Sequence, residues 1–183
     1  MKISTRKIVF TGLMAAVVFV STYLLYFNIP TPTGPVMLKT GNIFCLLAGI
    51  LLGGPFGGIA AGLGSMIFDL LNPLYISGAP FTLIRFFIMG CVCGLVANAW
   101  GKKGGNIWFN YLGALLGALI NIALYIAESV YGTVLAGSGL WAAVIGMAPK
   151  ILVSSINGVI AVIIAPPLGL WVKRMLKRAK MEI

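Results

Sequence analysis

Four ionisable side chains stand inside or beside long apolar stretches of this chain: Asp69, Arg85, Glu128 and Lys150. A charge held at bilayer depth costs at least about 2.5–3.5 kcal/mol on insertion scales, so two acids and two bases gathered at one depth read as a paired polar site. Spacing adds neutral partners. Asn121, Tyr125 and Glu128 follow one another at intervals of four and three residues, which stacks them on one face of a helix. Lys150, Ser154 and Asn157 repeat those intervals and form a second stripe. Asn42, at the start of another apolar segment, and Trp141, an aromatic for stacking beside Tyr125, complete the candidate set. Amides, a hydroxyl, aromatic faces and balanced charges suit a small, flat, polar organic molecule. They do not suit a bare metal ion, which asks for more carboxylates or thiolates, and the chain has no histidine. The expected site binds a ligand and needs neither metal nor cofactor.

The elements that must carry these residues follow from composition. Of 183 residues, 60% are hydrophobic and 9% charged, with a mean hydropathy of +1.06. Soluble domains carry about 25% charged residues, so the chain reads as an all-α integral membrane protein. Six spans of about 20 residues use about 120 residues and leave no room for a soluble domain. The expected single six-helix domain covers residues 1–183, with helices at 8–27, 42–53, 56–71, 80–100, 107–128 and 141–172. The first span follows Lys2, Arg6 and Lys7. It is too long for a signal h-region and lacks a small-x-small pattern before Asn28, so it is expected to be retained. Residues 28–40 hold three prolines and a glycine and read as a loop; Gly53-Gly54-Pro55 breaks a helical hairpin; residues 72–79, 101–105 and 129–139 are further loops. Pro149 and Pro166-Pro167 are expected to kink or bound the last helix.

Charge sets the expected orientation. Lys2, Arg6, Lys7, Lys102, Lys103, Lys173, Arg174, Lys177, Arg178 and Lys180, ten of the 13 basic residues, fall on the side shared by both termini. The positive-inside rule puts that side in the cytoplasm and the four membrane charges in the outer half. Basic residues at the bilayer surface also attract anionic lipid headgroups, whereas nothing in their pattern supports nucleic-acid binding. Cys45, Cys91 and Cys93 lie in apolar runs and read as small packing residues. Small-x-x-x-small pairs recur and permit close helix approach; Gly12, Ala15 and Ala16, near the cytoplasmic end of the first helix, offer a surface for a partner protein. Neither a G-x-x-x-x-G-K-[ST] phosphate loop nor a G-x-S-x-G elbow occurs, so no enzyme activity is expected and any energy for transport comes from elsewhere.

Three segments, TGLMAAVVF, GNIFCLLAGILLGGPFGGIAAGLGSMIFDLL and NGVIAVIIAPPLGLWVKRMLKR, resemble the substrate-binding S component of an energy-coupling factor (ECF) vitamin transporter. The overall pattern is closest to the riboflavin, pyridoxine and hydroxymethylpyrimidine side of that family. The resemblance implies a cell-membrane subunit of a prokaryote that captures a vitamin or its precursor outside. It also implies assembly with a membrane scaffold (T) subunit and two ATPase subunits. The family's small-residue docking motif on the first helix would fall on Gly12 and Ala16, with Gly where the family often has Ala, and residues 28–40 would form a lid. The competing expectation is an ion-coupled secondary transporter of a small organic solute with Asp69 or Glu128 as coupling carboxylate; such carriers often show inverted repeats, and none is evident here.

Overall fold

The computed structural model describes residues 4–31, 35–101 and 103–179. Lys2, Lys102 and Lys180 of the basic set, and Pro32 of the proline-rich loop, lie outside the described residues. The chain is a helical membrane protein. Helix α1 is Thr5–Leu24, α2 Gly41–Leu52, α3 Gly54–Leu71, α4 Ala79–Ala97, α5 Ile107–Leu135, α6 Leu140–Gly146 and α7 Ala148–Arg178. Five of the helical segments are long and apolar enough to cross a bilayer: α1, α3, α4 with the 3-10 turn before it, α5 and α7. Helix α2 is apolar but has only 12 residues, a rise of about 18 Å against about 30 Å of hydrocarbon.

The proline-rich loop has more order than expected. Strands β1, Tyr26–Ile29, and β2, Val36–Lys39, pair antiparallel with Phe27 opposite Leu38 and Asn28 opposite Met37. Two further differences concern helix ends. Helix α5 continues seven residues past Glu128 to Leu135, because residues 129–135 hold one glycine and no proline to stop it. The last expected helix is divided at Met147 into α6 and α7, with Pro149 in the first turn of α7, where a missing N–H costs no hydrogen bond. Pro166 and Pro167 lie inside α7 and do not end it. Asn106 caps α5 by accepting from the Trp108 N–H at 2.9 Å.

Helix α2 is the hub. All of its residues except Phe44 are buried, and Leu46 and Ile50 join Val18, Phe86, Met89 and Ala161 from three other helices in one core. Glycine makes the close crossings possible. A methyl group built on Gly94 of α4 would lie 2.5 Å from the Gly53 carbonyl carbon and 2.7 Å from the Gly49 carbonyl oxygen, both backbone atoms that a rotamer change cannot move. Gly58 and Gly62 of α3 stand equally close to the Phe87 and Leu83 carbonyls. Gly53 itself has φ +82°, the left-handed conformation that lets the chain reverse between α2 and α3. The Lys173 ammonium bonds to the Lys103 carbonyl and, at 3.4 Å, to Asn98 Oδ1, fastening α7 to the α4–α5 turn.

Gly94→Ala is expected to lower stability by about 1–3 kcal/mol through overpacking. Gly12→Ala, which meets nothing within 4 Å, should stay within about 0.5 kcal/mol. Thermal unfolding of the two variants in the same detergent compares them directly.

Candidate ligand-binding site

A cavity of about 320 Å³ opens above the N-terminal end of α2. The β-hairpin roofs it, the end of α3 and the 72–78 turn close one side, and α4, α5 and α7 supply the rest. Nine of the ten residues expected at a site line this one space: Asn42, Asp69, Arg85, Asn121, Tyr125, Glu128, Lys150, Ser154 and Asn157. They come from five helices, so their convergence is a product of the tertiary fold. The tenth, Trp141, does not join them. It is the second residue of the short α6, 79% exposed, because the break at Met147 turns α6 away from the cavity stripe of α7. Aromatic faces in the cavity come from Tyr125, Phe86 and Tyr75 instead.

The charges are arranged around those rings. Arg85 Nη1 donates to Glu128 Oε2 at 3.2 Å. The same guanidinium lies 4.6 Å from the centre of the Tyr125 ring and 5.3 Å from that of Phe86, within cation–π range. Lys39 Nζ sits 4.5 Å from the centre of the Phe86 ring. Burial pulls the pKa of Lys39 below its ordinary value, partly opposed by the Asp69 carboxylate. Burial also raises the Tyr75 phenol to about 12, so its O–H persists as a donor and reaches Asn28 Oδ1 at 2.9 Å. That bond straps the hairpin to the 72–78 turn.

Asn157, expected at the ligand, also holds the hairpin. Its Nδ2 donates to the Met37 carbonyl at 2.7 Å and its Oδ1 accepts from the Lys39 N–H at 3.0 Å. The amide pairs with β2 as another strand would, and both of its polar atoms are taken. Three other buried atoms at the cavity have no hydrogen-bond partner among the described residues: Asn42 Oδ1, Asn121 Oδ1 and Arg85 Nε. A buried polar atom left unmade costs about 1–3 kcal/mol.

Lys39, Tyr75, Thr82, Phe86 and Ser129 line the cavity without having been expected there. A signal existed for three of them. Thr82 stands three residues before Arg85 and four before Phe86, intervals that bring each onto the face of Thr82. Lys39 is the remaining basic residue beyond the ten expected at the termini side, Arg85 and Lys150; all three of these outlying cations line the cavity.

On α1, Gly12 and Ala16 are exposed on one face. Ala15 is 9% exposed and belongs to the core, because its carbonyl lies against Gly64 of α3; its side chain is not part of an open docking face.

A profile of the family described as ECF-type riboflavin transporter, S component, matches residues 2–174. The chain belongs to that family. An uncharacterized protein of Pyrococcus woesei, described by its position in a gap 3′ region, is 33% identical over 121 residues, covering 63% of this chain and 74% of the relative. This S component is thus the substrate-binding subunit of an ECF vitamin transporter, and its family is one of transport subunits, not enzymes. The cavity lies at the hairpin end of the S component, away from the described basic residues at the start of α1, in the α4–α5 turn and at the end of α7.

The Arg85–Glu128 pair yields a stability test in the ligand-free S component. Glu128→Leu leaves a largely buried guanidinium without its carboxylate and is expected to destabilise by about 1–3 kcal/mol. The Arg85→Leu/Glu128→Leu double variant should recover most of that loss. A double-mutant cycle of thermal unfolding measures the coupling, and additive losses would remove the pair from the account of stability.

Proposed function

We propose that this S component captures riboflavin in the cavity under the hairpin. The observation that carries the reading is the set of three unpartnered polar atoms, Asn42 Oδ1, Asn121 Oδ1 and Arg85 Nε, grouped beside the rings of Phe86 and Tyr125. A flat heterocycle with donors and acceptors on its edge stacks on such rings and meets the orphaned groups at the same time. The volume of about 320 Å³ sits at the small end of ligand pockets and suits one vitamin. Asp69, Lys150 and Ser154 offer further polar contacts, while Asn157 and the Tyr75–Asn28 bond hold the hairpin as a lid. Pyridoxine and hydroxymethylpyrimidine-like compounds are the smaller ligands that the same donors would take. The ion-coupled carrier reading loses ground to the family membership.

The S component crosses the plasma membrane of a prokaryote six times in this reading, α2 counting as the sixth, short span, with both termini in the cytoplasm. Arg6, Lys7, Lys103, Lys173, Arg174, Lys177 and Arg178 at one end support that orientation. It works with a scaffold subunit and two ATPase subunits, which supply the energy that this chain has no nucleotide-binding loop to harvest. The exposed small surface of Gly12 and Ala16 lets another helix approach α1 closely.

Asn121→Leu and Asn42→Leu are each expected to weaken riboflavin binding at least tenfold, read from quenching of flavin fluorescence on titrating the purified chain; unchanged affinity in both would take the ligand out of this cavity. Gly12→Leu and Ala16→Leu should leave that titration unchanged and abolish riboflavin uptake by cells carrying the whole transporter. Normal uptake by both would place scaffold docking elsewhere.

A further inference from the structure

Away from the hairpin, a shallow open groove runs between the start of α5 and the end of α7, lined by Gly105, Asn106, Ile107, Trp108, Leu170 and Arg174. Its one charged side chain is a cation. Arg174 is exposed and has no carboxylate within 4 Å among the described residues, where the ion pair is Arg85–Glu128. The two described acids, Asp69 and Glu128, line the ligand cavity instead. The neighbouring Lys173 is spent on the Lys103 carbonyl and Asn98, whereas Lys177 and Arg178, three and four residues after Arg174, extend its charge along the same face. Both walls turn apolar away from this rim. On α7, Ile163, Pro167, Leu170 and Arg174 follow at intervals of four, three and four; on α5, Trp108, Leu112, Leu115 and Leu119 repeat that rhythm, so each set lies on one helical face. Ile163, Pro167 and all four residues on α5 are exposed. Each stripe covers a rise of about 16 Å, which matches one leaflet of a hydrocarbon core about 30 Å thick.

We propose that this groove is a binding site for an anionic phospholipid, with the headgroup phosphate on Arg174 and the acyl chains along the two apolar stripes. A guanidinium fork takes phosphate through paired hydrogen bonds. Trp108, 78% exposed, sets an indole at headgroup level, where its apolar body and its N–H are both served. Charge selects the lipid. Arg174, Lys177 and Arg178 bring three positive charges to one face with no ion-paired acid among the described residues; a choline or ethanolamine headgroup carries its own cation into that field, whereas phosphatidylglycerol carries none. The groove shares no residue with the ligand cavity, so the inference stands apart from the vitamin reading. A lipid held there ties α5 to α7 and fixes the depth of that end in the bilayer.

Native mass spectrometry of the purified full chain, titrated with phosphatidylglycerol or with phosphatidylcholine of the same acyl chains, tests the site. The wild type is expected to bind its first phosphatidylglycerol at least threefold more tightly than its first phosphatidylcholine, and Arg174→Gln to weaken the phosphatidylglycerol at least threefold. Lys7→Gln is the control: it removes one charge from α1, where the ammonium stands 5.5 Å from the centre of the Phe56 ring, outside the groove, and should weaken the same lipid less than threefold. A smaller preference in the wild type overturns the lipid site and leaves the cationic rim to an acidic face of a partner protein. A loss below threefold in Arg174→Gln, or a loss of threefold or more in Lys7→Gln, overturns it as well, the second by assigning the lipid to diffuse surface charge. A second reading leaves Arg174 in place. In phosphatidylcholine nanodiscs, lipid brominated in its acyl chains is added at one fixed fraction as phosphatidylglycerol or as phosphatidylcholine, and the Trp108 signal is taken as the difference between the wild type and Trp108→Phe. Brominated phosphatidylglycerol should quench that signal at least twofold more than brominated phosphatidylcholine; a smaller ratio overturns the proposal.

Discussion

A bilayer offers no water to a buried polar group, and this constraint organises the whole molecule. Basic residues can be afforded cheaply at the cytoplasmic surface, where ten of the 13 are expected. The other three sit with Asp69 and Glu128 around one cavity, and the third acidic residue, Glu182, lies outside the described residues. Lys39, Asp69, Arg85, Glu128 and Lys150 are thus gathered around one space, where another charge or an aromatic face answers several of them. The Arg85–Glu128 bond and the rings under Lys39 and Arg85 meet part of that demand. Asn42, Asn121 and the Nε of Arg85 keep the rest unmet, and an unmet buried donor or acceptor is stored binding energy for a molecule of matching edge.

Packing decides where the cavity falls. Helix α2 is wrapped by its neighbours and is too short to fill the bilayer, so the space above its N-terminus is left to the hairpin and the polar groups. Glycines at 49, 57, 58, 62, 90 and 94 bring α2, α3 and α4 together backbone to backbone, which holds the floor of the cavity rigid. The roof is held by directional bonds instead: the Asn157 amide on β2 and the Tyr75 phenol on Asn28. A roof fastened by a few hydrogen bonds can exchange them with water without disturbing the core beneath it.

Much of the site was legible in the residues because charge is so costly in hydrocarbon that its mere presence is information. The intervals Asn121-Tyr125-Glu128 and Lys150-Ser154-Asn157 named two helical faces, and both faces line the cavity. Phe86 and Thr82 escaped notice because apolar and hydroxyl residues are ordinary in a membrane helix and carry no such penalty. Trp141 was misplaced because an aromatic residue beside a loop looks the same in one dimension whether its helix turns inward or outward.

The sequence by itself determined the class of protein, most helix positions, the expected cytoplasmic clustering of charge and the residue types of the site, since these follow from local hydropathy, helical period and the energetic penalty of buried charge. Only the tertiary structure decided that Tyr26–Ile29 pairs with Val36–Lys39, that α5 runs on to Leu135, and that the Asn157 amide bonds to β2 while Asn42 Oδ1 and Asn121 Oδ1 have no partner among the described residues. Each of those depends on which groups meet across five helices, and contacts between residues as far apart as Lys39 and Asn157 leave no periodic trace along the chain.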